Sequence, residues 1–217
     1  MTTFGKVVIG ASTLGTLGGG AVLANSLLNK KVDEPTPTPQ PTTSERLAKE
    51  GFDGVPTDGW QTILDAYQLV KDTKTTFKRT PEEVETLDGL KAKCLNALGD
   101  RGADEGNYKK ARQWCVKTVT TKTVLNNLGY EILDSSDSKT DQDTVWKEIA
   151  KSLKLNPNSF PAIGEKVKVA NNDDDVKELK AGCEALKLNE AKTTDKDFND
   201  KLEWGKSWCS TPKTKEN

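Results

Sequence analysis

The sequence predicts a mainly α-helical protein with an N-terminal transmembrane helix, a proline-rich stalk and two similar small helical modules. An uncharged segment near the N terminus is followed at once by closely spaced prolines. In the rest of the chain, apolar residues recur at the three- and four-residue spacing of helices. Several short motifs occur twice, in the same order. We therefore divide the 217 residues into a membrane anchor (1–31), a linker (32–44), helical module 1 (45–118), helical module 2 (119–210) and a tail (211–217).

The composition excludes several classes of function. The chain has 32 basic and 33 acidic residues, so it lacks the basic excess that nucleic-acid binding requires. It has no histidine, which excludes Ser-His-Asp and Cys-His catalysis, histidine metal sites and a histidine pH switch. Hydrophobic residues make up only 34%, which predicts a thin core. We predict no cofactor.

The first element is the segment Val7–Asn29, which has no charged residue and lies between Lys6 and Lys30. As a helix it is long enough to cross about 30 Å of hydrocarbon, and its glycines are tolerated in membrane helices. We interpret residues 7–29 as a single-pass anchor whose partner is the lipid bilayer. Two other interpretations remain open: a cleaved signal peptide with a cleavage site near Val22–Ala24, which would make the protein secreted, and a glycine-rich leader without a membrane role.

The second element is the segment Val32–Ser44, which contains four prolines at alternate positions. Proline fixes φ and removes a hydrogen-bond donor, so we expect an extended, polyproline-like stalk. Such a stalk would hold the following modules away from a lipid surface.

Helices dominate the remainder. Thr80–Glu83 has the pattern of a helix start, with threonine as N-cap and proline at the first position, and Gly99 is suited to end that helix. The residues expected on the buried helix faces are Val84, Leu87, Cys94, Leu95 and Leu98; Val176, Leu179, Cys183 and Leu186; and Phe198, Leu202 and Cys209. Leu125–Gly129 resembles the end of another helix, and Tyr130–Leu133 resembles a short strand.

The acidic runs Asp141–Asp143 and Asp173–Asp175 are interpreted as helix starts, because neither has the pattern of a calcium-binding loop. The basic run Lys109–Arg112 is interpreted as a solvated helix face.

A duplication is the strongest internal signal. Each half has a Leu-rich segment ending in Gly-Phe or Gly-Tyr, then a tryptophan, a Leu-Lys-Ala-x-Cys motif and a Trp-Cys pair. The tryptophan precedes the motif cysteine by 34 residues in the first half and by 37 in the second, and the Trp-Cys cysteine follows after 21 and 26. The shared order predicts a helical module of about 80 residues used twice.

The four cysteines allow three pairings. We favour Cys94 with Cys115 and Cys183 with Cys209, because each disulfide then closes its own module. Four free thiols in a reducing compartment remain an alternative. A zinc site usually has close C-x2-C pairs, which this sequence lacks.

The tryptophans Trp60, Trp114, Trp146 and Trp208 hold equivalent positions in the two halves. We expect them to fill the core of each module rather than to stack on a ligand. Trp204 lies four residues before Trp208, on the same face of a helix, and is expected to pack there.

The glycine- and alanine-rich leader, the Pro/Thr spacer, the Leu-x-x-x-Gly-Phe start at Leu47–Phe52 and the final Trp-Cys pair occur together. This set, from Phe4 to Cys209, resembles the large uncharacterised paralogous families of haemotropic mycoplasmas, the wall-less bacteria that live on red blood cells. The resemblance implies a membrane-anchored surface protein with a role in host contact or antigenic variation. It brings no catalytic residues.

From these observations we expect a surface-displayed interaction or antigenic protein, without catalytic activity, whose partner is a host surface molecule or an antibody. A structural or scaffold protein on the cytoplasmic side of the membrane is the alternative. The sequence leaves the oligomeric state, the ligand and the topology open.

Overall fold

The computed structural model describes residues 39–52, 54–136, 142–167 and 173–213. The predicted anchor at residues 7–29 and its alternatives lie outside these residues, as does most of the predicted linker. Among the described residues the protein is mainly helical, which confirms the mainly α-helical part of the predicted fold class. Its helices are α1 (Thr43–Lys49), α2 (Trp60–Leu69), α3 (Leu87–Gly99), α4 (Glu105–Trp114), α5 (Thr121–Asn127), α6 (Asp143–Leu155), α7 (Pro161–Gly164), α8 (Asp173–Ala185) and α9 (Phe198–Trp208), with a 3-10 turn at Pro157–Ser159.

The helical body begins slightly earlier than the sequence predicts. Helix α1 starts at Thr43, inside the segment assigned to the linker, because Thr42 forms a capping box. Its hydroxyl accepts a hydrogen bond from the Glu45 N–H (3.1 Å), and the Glu45 carboxylate accepts one from the Thr42 N–H (2.7 Å). We call residues 42–118 the first half and residues 119–213 the second half.

The predicted helix start at Thr80–Glu83 is wrong. Helix α3 begins at Leu87, where the Thr86 hydroxyl accepts the Gly89 N–H at 3.1 Å. The earlier Thr-Pro-Glu-Glu segment forms a turn, in which the Glu83 N–H donates to the Thr80 carbonyl. The Glu83 carboxylate is held by Lys93 of α3 at 2.9 Å. The same carboxylate accepts the Arg79 N–H at 2.6 Å, so Glu83 bonds both within its own turn and to α3 without starting a helix.

Two residues expected on the buried face of this helix are exposed instead: Val84 and Leu95 are 78% and 61% exposed. Val84 precedes the helix, so the helical period does not apply to it. The actual stripe on α3 consists of Leu90, Cys94 and Leu98, spaced four residues apart. The predicted end of the helix at Gly99 is confirmed.

The remaining predicted elements agree closely with the structure. The acids Asp173–Asp175 form the first turn of α8, and Asp143 is the first residue of α6. Residues Tyr130–Ile132 form strand β1, which pairs antiparallel with β2 (Ser210–Pro212) so that Tyr130 lies opposite Pro212. Strand β2 continues two residues into the segment predicted to be the tail.

One contiguous apolar core runs through the described part of the chain from Leu47 to Cys209. The closest helix pairings are α6 with α8, α5 with α9, and α3 with α4. No helix within the described residues is both long and apolar enough to cross a bilayer.

Candidate functional site

The first disulfide joins the middle of α3 to the end of α4. Cys94 lies on α3 and Cys115 directly follows α4, with the two sulfurs 2.10 Å and the Cα atoms 5.1 Å apart. Both cysteines are fully buried. The Cys94 sulfur also lies 3.6 Å from the Trp114 carbonyl oxygen. The pairing is the one that the sequence favoured.

Trp114 anchors the long loop that leads into α3. Its indole N–H donates to the Thr75 carbonyl at 2.7 Å, and its ring meets Tyr67 edge-on with centroids 5.1 Å apart. The Tyr67 hydroxyl oxygen accepts the Phe77 N–H at 2.8 Å. Because Tyr67 is fully buried, desolvation raises its pKa from 10.0 to about 12. Tyr67 and Trp114 therefore fix the loop against α2 and α4.

Lys78, which the sequence analysis did not single out, closes the end of α2. Its ammonium donates to the carbonyls of Gln68 (3.1 Å) and Val70 (2.9 Å) and lies 5.4 Å from the centre of the Tyr67 ring. Helix α2 has no basic residue in its own last turn. Lys78 supplies that charge from the loop, and its burial lowers its pKa.

The second disulfide joins α8 to the end of α9. Cys183 and Cys209 have their sulfurs 2.00 Å and their Cα atoms 5.6 Å apart. The Cys183 sulfur lies 3.5 Å from the Trp208 carbonyl oxygen. Cys209 is fully buried, whereas Cys183 is 7% exposed. The second predicted pairing is thus also present, and no cysteine is free.

The four tryptophans are not equally buried. Trp114 and Trp146 are fully buried and Trp60 nearly so, as expected for core residues. The indole N–H groups of Trp60 and Trp146 donate to backbone carbonyls, at 2.8 and 3.2 Å. Trp208 is only partly buried, and its N–H donates to the Ser159 carbonyl at 3.3 Å. Its neighbour Trp204 stacks on Phe160 with centroids 5.5 Å apart.

A polar seam connects α4 with α9. The Arg112 guanidinium donates twice to the Asn199 side-chain oxygen, at 3.0 and 2.7 Å. Asn199 in turn donates to the Gln113 side-chain oxygen at 2.9 Å, and the Gln113 amide donates to the Asp195 carbonyl. Arg112 is buried, so the prediction of a solvated face for the run Lys109–Arg112 is wrong at this residue. The hydrogen bonds to Asn199, together with the carboxylates of Glu50 at 3.8 Å and Glu203 at 3.9 Å, offset the cost of burying its charge.

An open cleft of about 710 Å³ lies beside the second disulfide. One wall is β1 and the chain that continues to Ser135, and the other comes from α5 and the segment that follows α8. Both Cys183 and Cys209 line it. Its volume is typical of small-molecule sites, which measure roughly 300–1,000 Å³. The sequence analysis missed this cleft because its lining comes from four separate segments that share no motif.

The charges that line the cleft are balanced. Three are lysines and three are acids: Lys122, Lys187, Lys213, Glu131, Asp134 and Glu184. The cleft therefore has no formal net charge that would favour an anionic or a cationic ligand. No group of three metal-ligating side chains occurs among the residues that the structure describes.

The chain matches no protein-family model, no curated protein and no solved structure.

Proposed function

We propose that this protein is a membrane-anchored, surface-displayed interaction or antigenic protein, built from a duplicated, disulfide-stapled helical module. The two local disulfides are the observation that carries the proposal. Disulfides persist in oxidising environments outside the cytosol, and they are most useful where the hydrophobic core is thin. An exterior location agrees with the interpretation of residues 7–29 as an anchor and of residues 32–44 as a stalk.

Matching backbone contacts at the start of each half support the duplication. The Thr43 N–H donates to the Asp100 carbonyl at 2.8 Å, and the Thr121 N–H donates to the Ala191 carbonyl at 2.7 Å. In each case the preceding threonine is the N-cap of the helix. The first helix of each half is therefore tied to a segment just before that half's last helix.

Further correspondences follow along the chain. The turns after α1 and α5 each contain a glycine with positive φ, at Gly51 and Gly129. In both halves a motif cysteine lies close to the carbonyl oxygen of the tryptophan in the Trp-Cys pair. These equivalent contacts support the internal repeat that the spacing of the motifs predicts.

Binding is the role for which such a construction is suited. The disulfides hold each half in shape without a ligand, and a rigid surface loses less conformational entropy when a partner binds. Under this proposal the partner is a host surface molecule or an antibody. The cleft and the exposed helix faces are the surfaces available for it.

Protease treatment of intact cells that produce the full-length chain tests the proposal. We expect added trypsin to digest the protein while a cytoplasmic marker stays whole, and mass spectrometry without reduction to find both disulfides. If the chain is protected while a known surface protein is digested, the display proposal fails. Four free thiols in the protected chain would favour the scaffold alternative on the cytoplasmic side.

A pair of variants tests the anchor. Leu17→Arg places a charge near the middle of residues 7–29, where it costs about 2.5–3.5 kcal/mol on insertion scales. We expect this variant to lower the membrane-bound fraction after carbonate extraction. Leu17→Ala is the matched control and should remain bound. Equal extraction of the two variants would contradict a spanning helix.

A further inference from the structure

The two disulfides differ in their access to solvent. Cys94 and Cys115 are both fully buried. Cys183 is 7% exposed, and together with Cys209 it lines the open cleft. A thiolate can cleave a disulfide only by reaching one of its sulfurs, so access is one of the factors that set the rate of exchange.

We propose that Cys183–Cys209 is a modification site, at which a low-molecular-weight thiol exchanges with the protein and forms a mixed disulfide on Cys183. The cleft volume of about 710 Å³ can admit a thiol of tripeptide size. Because the charged residues of the cleft balance, neutral and anionic thiols both enter. Cys94–Cys115 remains closed under the same conditions, and its role is structural.

The exchange proceeds in two steps that balance. The external thiolate attacks the Cys183 sulfur, the bond between the two protein sulfurs breaks, and Cys209 leaves as a thiolate that takes up a proton. A second external thiolate then attacks the external sulfur of the mixed disulfide and releases Cys183 as a thiolate, which is also protonated. Two thiols are oxidised to one disulfide, and the protein disulfide is reduced by two electrons.

Opening this bond affects a wall of the cleft. Cys209 directly precedes β2, and its carbonyl accepts the Leu133 N–H at 2.9 Å where β1 continues. The disulfide is the covalent link that holds this end of α9 against α8. Once it opens, noncovalent contacts alone hold the start of β2 near α8. Exchange at Cys183 thereby links the state of the cleft to the thiols around it.

Site-resolved trapping on the full-length chain in detergent tests the proposal. The protein is exposed to reduced glutathione and, separately, to neutral 2-mercaptoethanol, then quenched with N-ethylmaleimide and mapped by mass spectrometry. We expect Cys183–Cys209 to open at least about tenfold faster than Cys94–Cys115 with both thiols, with the mixed disulfide on Cys183. Because Cys94–Cys115 opens only when the first half unfolds, it serves as an internal monitor of unfolding. Opening of both bonds at the same rate, or of Cys94–Cys115 first, overturns the proposal.

A matched pair of tryptophan variants tests entry through the cleft. Asn189 is exposed and lines the cleft, so Asn189→Trp should narrow it and slow exchange at Cys183 severalfold. Ser152→Trp adds the same bulk at an exposed position on α6 away from the cleft and should leave the rate unchanged. If Asn189→Trp exchanges as fast as Ser152→Trp, access through the cleft is refuted. The comparison of the two disulfides in the unmodified protein does not depend on how either variant folds.

Discussion

Replacing Lys78 with methionine removes a buried ammonium while keeping a side chain of similar length. In the native protein this ammonium donates to the carbonyls of Gln68 and Val70 at the end of α2. Methionine has no donor, so both carbonyls lose their partner in a place that water reaches poorly. The substitution therefore isolates the contribution of a charge that the loop following α2 brings back to the end of that helix.

The expected magnitude follows from these two contacts. A hydrogen bond from a charged donor contributes about 1.5–3 kcal/mol, and this lysine makes two. Burial of the charge offsets part of the gain, as the lowered pKa of Lys78 indicates. We expect Lys78→Met to lower the free energy of unfolding by about 2–4 kcal/mol.

Urea denaturation, followed by far-UV circular dichroism and tryptophan fluorescence, measures this loss. Lys74→Met is the matched control, because Lys74 is exposed in the same loop and its side chain makes no contact of this kind. Its effect should stay within about 0.5 kcal/mol. If Lys78→Met is no more destabilising than Lys74→Met, the ammonium does not stabilise the end of α2.

Three further predictions concern stability. The double variant Cys94→Ala/Cys115→Ala should lose about 3 kcal/mol of unfolding free energy in urea, because the two cysteines are 21 residues apart in the chain. A loss below about 1 kcal/mol would contradict this reasoning. The pKa of Tyr67 is about 12 in the folded protein and 10.0 in the unfolded chain, so the unfolded chain ionises first as pH rises. The contribution of Tyr67 to the free energy of unfolding is therefore constant below pH 10 and falls by roughly 3 kcal/mol as pH rises towards 12. Over this pH range the urea midpoint should decline less steeply in Tyr67→Phe than in the native protein. Gly51→Ala should lower the melting temperature more than Gly129→Ala. Both glycines have positive φ, but a Cβ at Gly51 would lie 2.3 Å from a side-chain atom of α5, whereas nothing lies within 4 Å of a Cβ at Gly129. Equal decreases in melting temperature would refute the steric argument.

Local sequence signals predicted the helical fold where each helix depends on its own residues. Helix α8 begins with Asp173–Asp175, as expected for acids at the positive end of a helix dipole. The helix start predicted at Thr80–Glu83 is wrong because a capping pattern shows only that a segment can begin a helix, not that it does so in the folded protein. Glu83 accepts the Arg79 N–H within its own turn and also contacts Lys93 of α3, and the helix starts instead at the cap that Thr86 provides.

The features of the candidate site also fall into those that local sequence signals predict and those that depend on tertiary contacts. The cysteine pairs were predictable because the duplicated spacing assigns each pair to its own half. The burial of Arg112 depends on Asn199, which lies 87 residues away in the chain. Lys78 is one of several lysines in its loop, and only the folded backbone shows that it meets the end of α2. Such contacts are properties of the tertiary structure, so no local pattern predicts them.

The location of the disulfides also has a mechanical consequence. Each disulfide closes a loop inside one half, and no covalent cross-link other than the backbone connects the two halves. The contacts that join the halves, such as those of Arg112 with Asn199 and of Asn127 with Gly51, are noncovalent, so they can separate under a stretching force and form again. The segments between the bonded cysteines could not lengthen at all. Under tension the chain would therefore yield at noncovalent contacts outside the two loops, while the loops themselves stay closed.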